Sequence, residues 1–106
     1  MSTEDVHLAA SIKRSCRSWF DENRKADQTE LVPNLWLFVL YSELTQVEMH
    51  LFMEAVANPT DPQVMAQREL QDRNKRIHAI DEIIQKYPAL DQQIRPDLDR
   101  LWKVYR

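Results

Sequence analysis

The sequence predicts an all-α fold, a small antiparallel bundle of about four helices, and three observations predict it. Glycine is absent from all 106 residues. Apolar residues recur at helical spacing along most of the chain. The breaks fall at prolines, at positions where proline suits the start of a helix. Tight β-hairpins and phosphate-cradling loops both need backbone that glycine supplies. The P-loop and the dinucleotide-binding fingerprint are therefore excluded.

Each helix has its own signals. Residues 3–20 form the first, with Thr3, Glu4 and Asp5 at its N-terminus, where a hydroxyl and acidic charge meet unpaired N–H groups. Leu8, Ile12, Cys16, Trp19 and Phe20 mark its buried face. Residues 21–30 hold one apolar side chain and read as an exposed connection. The second helix covers 32–57, starting near Pro33 or Asn34, because proline is tolerated only in the first turn. In residues 58–62, Pro59 stops that helix, Asp61 caps the next and Pro62 opens it. The third helix is then expected to run unbroken from Pro62 to about Tyr87. Pro88 opens a fourth stretch with Leu90, Ile94, Leu98, Leu101 and Tyr105 on one face. Pro96 lies inside it and predicts a kink or break near Arg95.

The length, 106 residues, suits one domain over 1–106. The single cysteine, Cys16, can form no internal disulfide and fits a reducing, cytoplasmic setting. It reads as a small buried hydrophobe. The acidic start, Met1-Ser2-Thr3-Glu4-Asp5, is unlike a signal peptide. No run is apolar enough to predict a membrane span.

The second helix is too apolar for an ordinary surface helix. Leu37, Leu40, Tyr41, Leu44, Val47, Leu51, Phe52 and Ala55 share one broad face, which Phe38, Met49 and Val56 extend. The arc is roughly 200°, against the ~100° stripe of a surface helix. Either the helix sits at the centre of its own fold, or part of this arc contacts a protein partner. The residue types Trp36, Phe38, Tyr41, Met49, Phe52 and Met53 are enriched at interface cores. Trp36, Leu40, Tyr41, Leu44, Leu51 and Phe52 are the candidate anchors of such a contact.

On the remaining arc, Glu43, Gln46, His50 and Glu54 form a polar stripe, expected to face solvent. A carboxylate–histidine metal site is the alternative for this stripe. The Glu-x-x-His pair such bundle sites use does not occur, so neither a metal nor another cofactor is expected.

Charge is unevenly spread. The formal net charge is -3, too acidic for a dedicated duplex-DNA binder. Residues 31–62 carry Glu43, Glu48, Glu54 and Asp61 with no lysine or arginine, a net of -4. Residues 63–106 carry nine basic and seven acidic residues, a net of +2. Nucleic-acid contact through residues 68–76 is one possibility this leaves. Another is a surface built from Trp102 and Tyr105 with Arg100, Lys103 and Arg106, although aromatic packing and a helix dipole explain those residues equally.

One short motif carries a chemistry. Arg73-Asn74-Lys75-Arg76-Ile77-His78 is an arginine, a polar residue, three others and a histidine. It resembles the catalytic motif of the HEPN superfamily, helical bundles that often cleave RNA as dimers. The resemblance implies that Arg73 stabilises a phosphate, that His78 is the general acid or base, and that Asn74 fills the polar second position. Arginine and histidine suit those roles chemically. Arg73 also falls in the apolar seam formed by Ala66, Leu70, Ile77, Ile80 and Ile84. A charge in a seam needs a partner, and Glu43, Glu48 or Glu54 of the second helix could supply it. On its own, His78 reads as a surface histidine.

The function expected from these features is a protein–protein interaction module, self-associating as a homodimer or serving as an accessory subunit. The alternative is a metal-independent ribonuclease using Arg73, Asn74 and His78.

Overall fold

The computed structural model describes residues 3–23, 32–56 and 72–106, together with 62, 63 and 66. Four helices run through them: α1 (Thr3–Asn23), α2 (Val32–Val56), α3 (Arg73–Gln85) and α4 (Pro88–Tyr105). Among the described residues there is no strand. The principal contacts are α1 on α2, α2 on α3, α3 on α4 and α4 on α1. The helices thus close a ring around one core.

Contacts at the two ends of the bundle set the directions. Trp19 and Phe20, late in α1, pack edge-on against Tyr87, which precedes α4, with ring centroids 5.5 and 5.0 Å away. At that same end Lys86 lies over the Trp36 ring, early in α2, at 4.8 Å. Arg73 at the start of α3 meets Glu54 near the end of α2. Neighbouring helices are therefore antiparallel, and the all-α bundle expected from the sequence is the fold.

The core follows the sequence periodicity. Ala9, Ile12, Cys16 and Phe20 of α1 are buried against Leu40, Leu44, Val47 and Leu51 of α2 and the isoleucines 77, 80, 83 and 84 of α3. Leu90, Ile94, Leu98, Leu101 and Tyr105, the face expected for α4, are all buried, and Trp102 joins them. Cys16 is free and fully buried, and burial pushes its thiol up to about 12. A thiol so rarely ionised is a poor nucleophile.

Two helix boundaries differ from expectation: α1 runs on to Asn23, three residues into the stretch expected as a connection, and the third helix is split. The third helix does not run unbroken from Pro62. Asp72 interrupts it with left-handed backbone, φ 37° and ψ 60°, and a fresh helix starts at Arg73. Asp tolerates that conformation better than most residues. Its carboxylate accepts from the Lys75 backbone N–H at 3.3 Å, capping the new helix. The apolar spacing crosses this break, which is why the pattern alone does not reveal it. Ala66, assigned to the same seam, is exposed. Leu70 and the Pro59–Asp61 signal lie outside the described residues.

Pro96, in contrast, does not break α4. Its ring is on the exposed side, so the backbone carbonyl it leaves without a partner can bond to water. Arg95 also bridges the turns on either side, pairing with Asp91 at 2.7 Å and Asp99 at 3.4 Å. The same guanidinium reaches Asp81 of α3 at 3.0 Å, and the Trp102 indole N–H donates to that carboxylate at 3.2 Å. Burial works against the charge on Arg95, but the bonds to Asp91 and Asp81 outweigh it and hold the group firmly protonated.

Candidate functional site

Two features of α2 are candidates, and they lie on different sides of the helix. The first is a polar cluster where α2, α3 and α4 meet. Arg73, at the first position of α3, is only 7% exposed. Its guanidinium donates to the Glu54 carboxylate and, at 2.9 Å, to the Tyr105 backbone carbonyl. It also lies 4.5 Å from the Tyr105 ring centroid. One turn on, Arg76 donates through Nε to Glu43 at 2.9 Å and through Nη1 to the Tyr105 hydroxyl at 3.1 Å. His50 stacks on the Tyr105 ring, and its Nδ1 is 3.1 Å from that hydroxyl.

Arginine only donates, so the tyrosine hydroxyl accepts from Arg76, and His50 Nδ1, which also lies 3.4 Å from Arg76 Nη1, suits an acceptor. That arrangement has the hydroxyl giving its proton to Nδ1 and the imidazole neutral, with its hydrogen on Nε2. Its pKa is lowered accordingly, by burial first and then by the charges of Arg76 and Arg73, with Glu54 opposing. Arg76 loses some favour for its charge to burial, but the bonds to Tyr105 and Glu43 more than restore it.

This cluster corrects the reading of the polar stripe for three of its four residues, the half-buried Gln46 lying outside it. Glu43, His50 and Glu54 face α3 and α4, not solvent. Glu54 is buried. The expectation that Arg73 pairs with a carboxylate of the second helix is met by Glu54. Among the described residues no group of three or more metal-ligating side chains is placed to hold a metal ion.

The second feature is the side of α2 turned away from its buried Leu40, Leu44, Val47 and Leu51. Leu35, Phe38, Val39, Met49, Phe52, Met53 and Val56 are all exposed, Phe38 to 74% and Val56 to 70%. Among the described residues these are the exposed large hydrophobics, and all seven belong to this one helix. At about 100° per residue they line one strip, completed by Ser42, Thr45 and Gln46. Thr45 turns its hydroxyl back to the Tyr41 carbonyl at 2.7 Å. At ~150–250 Å² for each phenylalanine and somewhat less for the leucine, valines and methionines, the seven leave roughly 700 Å² of apolar surface open. The largest such patch on an ordinary monomer is about 300–600 Å².

No charge interrupts this strip. The three carboxylates of α2 are drawn to its flanks by the chain's own cations: Glu43 by Arg76, Glu54 by Arg73, and Glu48 by Lys13 at 3.7 Å.

The structure divides the six candidate interface anchors. Leu40, Leu44 and Leu51 are in the chain's own core, at most 1% exposed, and are closed to a partner. Trp36 and Tyr41 are half-buried at the rim, each with a lysine over its ring, Lys86 at 4.8 Å and Lys13 at 4.7 Å. Phe52 stands on the open strip. Residues 35, 38, 39, 49, 53 and 56 complete it and were not among the anchors. The signal for them was the spacing of Leu35, Ser42, Met49 and Val56, seven residues apart.

The residues of the HEPN-like motif are separated. Arg73 is enclosed by Glu54 and Tyr105, whereas Asn74 and His78 are exposed. His78 lies about 140° around the helix from Arg73. A buried guanidinium committed to a carboxylate and a carbonyl is not open to a phosphate. The buried Trp102 and Tyr105 likewise offer no ring for base stacking. No described helix is long and apolar enough to cross a membrane.

Compared with protein-family models, with curated proteins and with solved structures, the chain matches none.

Proposed function

We propose that this chain is a protein–protein interaction module and that the outer strip of α2 is its contact surface. One observation carries the reading: the exposed large hydrophobics of the described residues are gathered, without an intervening charge, on a single face of a single helix. Aromatic and methionine side chains are what protein interfaces favour at their centres, and Phe38, Phe52, Met49 and Met53 supply both. The rim is polar, with the ion pairs of Lys13–Glu48 and Arg76–Glu43 beside the strip. The inner polar cluster supports this division of labour, because its bonds hold α2 against α3 and α4 and leave its outer side free.

Photo-crosslinking in cells tests the reading. A photoreactive amino acid in place of Phe38 is expected to give protein adducts. The same residue in place of Glu82, exposed on α3, is expected to give none. Absence of any protein adduct from position 38 would overturn the proposal.

A further inference from the structure

The strip has an internal symmetry that points to its occupant. Leu35, Phe38, Val39 and Ser42 precede its midpoint, and Met49, Phe52, Met53 and Val56 follow it. Reflected about a point between Thr45 and Gln46, Leu35 falls on Val56, Phe38 on Met53, Val39 on Phe52 and Ser42 on Met49. A strip with this pattern is complementary to itself when one copy is turned end over end. Resting on the interaction-module reading above, we infer that the partner is a second copy of this chain, with the two α2 helices antiparallel across a two-fold axis between Thr45 and Gln46.

Side-chain volume selects the antiparallel arrangement. It sets the small Ser42 opposite the long Met49 of the other copy, and Thr45 opposite Gln46. A parallel pair would set Ser42 against Ser42 and Met49 against Met49, a void beside a clash. Interiors packed as densely as crystals tolerate neither. The large residues meet in both halves: Phe38 with Met53, Val39 with Phe52. The helix dipoles also oppose each other when antiparallel, which is the favourable alignment.

Charge and area agree. An uncharged strip suits an identical uncharged strip and gives an acidic or basic partner nothing to pair with. Two strips of roughly 700 Å² bring ~1,400 Å² together, within the ~1,200–2,000 Å² of stable interfaces. A two-fold contact of one patch with itself is the commonest way for a soluble chain to assemble.

Disulfide trapping with variants that each add one cysteine tests the geometry. The native Cys16 is fully buried, so the unaltered protein is the uncrosslinked control. Position 46 lies next to the axis, and Gln46→Cys is expected to crosslink to its own copy. Two copies of position 35 would be about 31 Å apart along the helices, so Leu35→Cys alone is expected to stay uncrosslinked. Leu35→Cys mixed with Val56→Cys is expected to crosslink. Phe38→Glu with Phe52→Glu buries unpaired charge at the contact and should weaken dimerisation by about a hundredfold or more. Its far-ultraviolet circular dichroism should remain that of the unaltered protein.

Self-crosslinking of Leu35→Cys would overturn the antiparallel arrangement while leaving the strip an interaction surface. A protein that stays monomeric at every concentration, with Gln46→Cys uncrosslinked, would overturn the second copy as occupant. Photo-adducts to a different protein at position 38 would then uphold the interaction module on their own. Their absence as well would bring down both.

Discussion

On its inner side α2 carries Leu40, Leu44, Val47 and Leu51, none more than 1% exposed. On its outer side the same helix carries Leu35, Phe38, Met49 and Phe52, none less than 47% exposed. Residue type does not separate the two sides, since both are leucines and other large apolar groups. The surroundings do. The inner leucines meet α1 and the isoleucines of α3. Along the flanks, cations from α1 and α3 seize the three carboxylates. The outer side meets nothing in the described chain. An apolar arc this wide needs cover on two sides, and among the described residues α1, α3 and α4 cover only one. α4 makes the opposite case: its apolar residues form one stripe, and that stripe is buried from Leu90 to Tyr105.

The largest effect is expected at the polar cluster. Glu54→Ala leaves the Arg73 charge buried without its carboxylate and is expected to cost about 3–5 kcal/mol of folding stability, read by chemical denaturation. Replacing both partners, Arg73→Met with Glu54→Leu, should recover most of that loss or exceed the starting stability, because the pair's desolvation disappears with it. If Glu54→Ala unfolds at the same denaturant concentration as the unaltered protein, the cluster does not hold α2 in place.

A second pair of changes compares the two sides directly. Leu44→Ala on the inner side should destabilise by about 2–5 kcal/mol, the cost of a core cavity. Phe52→Ser on the outer side, at concentrations where the chain is monomeric, should stay within about 0.5 kcal/mol. The two residue types have similar helix propensity, so a large effect of Phe52→Ser would mean that the outer side is packed against its own chain.

The smallest effect is one of pH. The folded state holds His50 below its ordinary value of 6.5, so the unfolded chain takes up that proton first. Stability contributed by neutral His50 is therefore full above about 6.5 and declines as pH falls below it. His50→Gln should flatten that part of the stability profile. A profile that keeps the same slope without His50 would assign it to other groups.

Much of the fold is legible in the sequence because it rests on local repetition. The fourth helix shows its one buried face in the spacing of five residues. The need of Arg73 for a carboxylate follows from the cost of a buried charge, and the choice lay among three residues. The polar stripe turns inward, against the expectation from its spacing, for a physical reason. Glu43, His50 and Glu54 at helical spacing look like a solvated face, and their partners Arg76, Tyr105 and Arg73 lie 19 to 55 residues away. Periodicity reports which residues share a face but not which way the face points. When the polar stripe turns inward, half the apolar arc must turn outward, and the candidate anchors Leu40, Leu44 and Leu51 exchange places with Phe38, Met49 and Met53. The break at Asp72 was hidden because a left-handed residue leaves no trace in apolar spacing.

A second copy seated on the open side of α2 makes the mass in solution depend on concentration, and light scattering on the eluting protein reads it. The mass is expected to rise with concentration toward twice 12.7 kDa, and a Phe38→Glu, Phe52→Glu variant to stay at the single-chain mass. An unaltered protein that holds the single-chain mass throughout, indistinguishable from that variant, would contradict a second copy in that place.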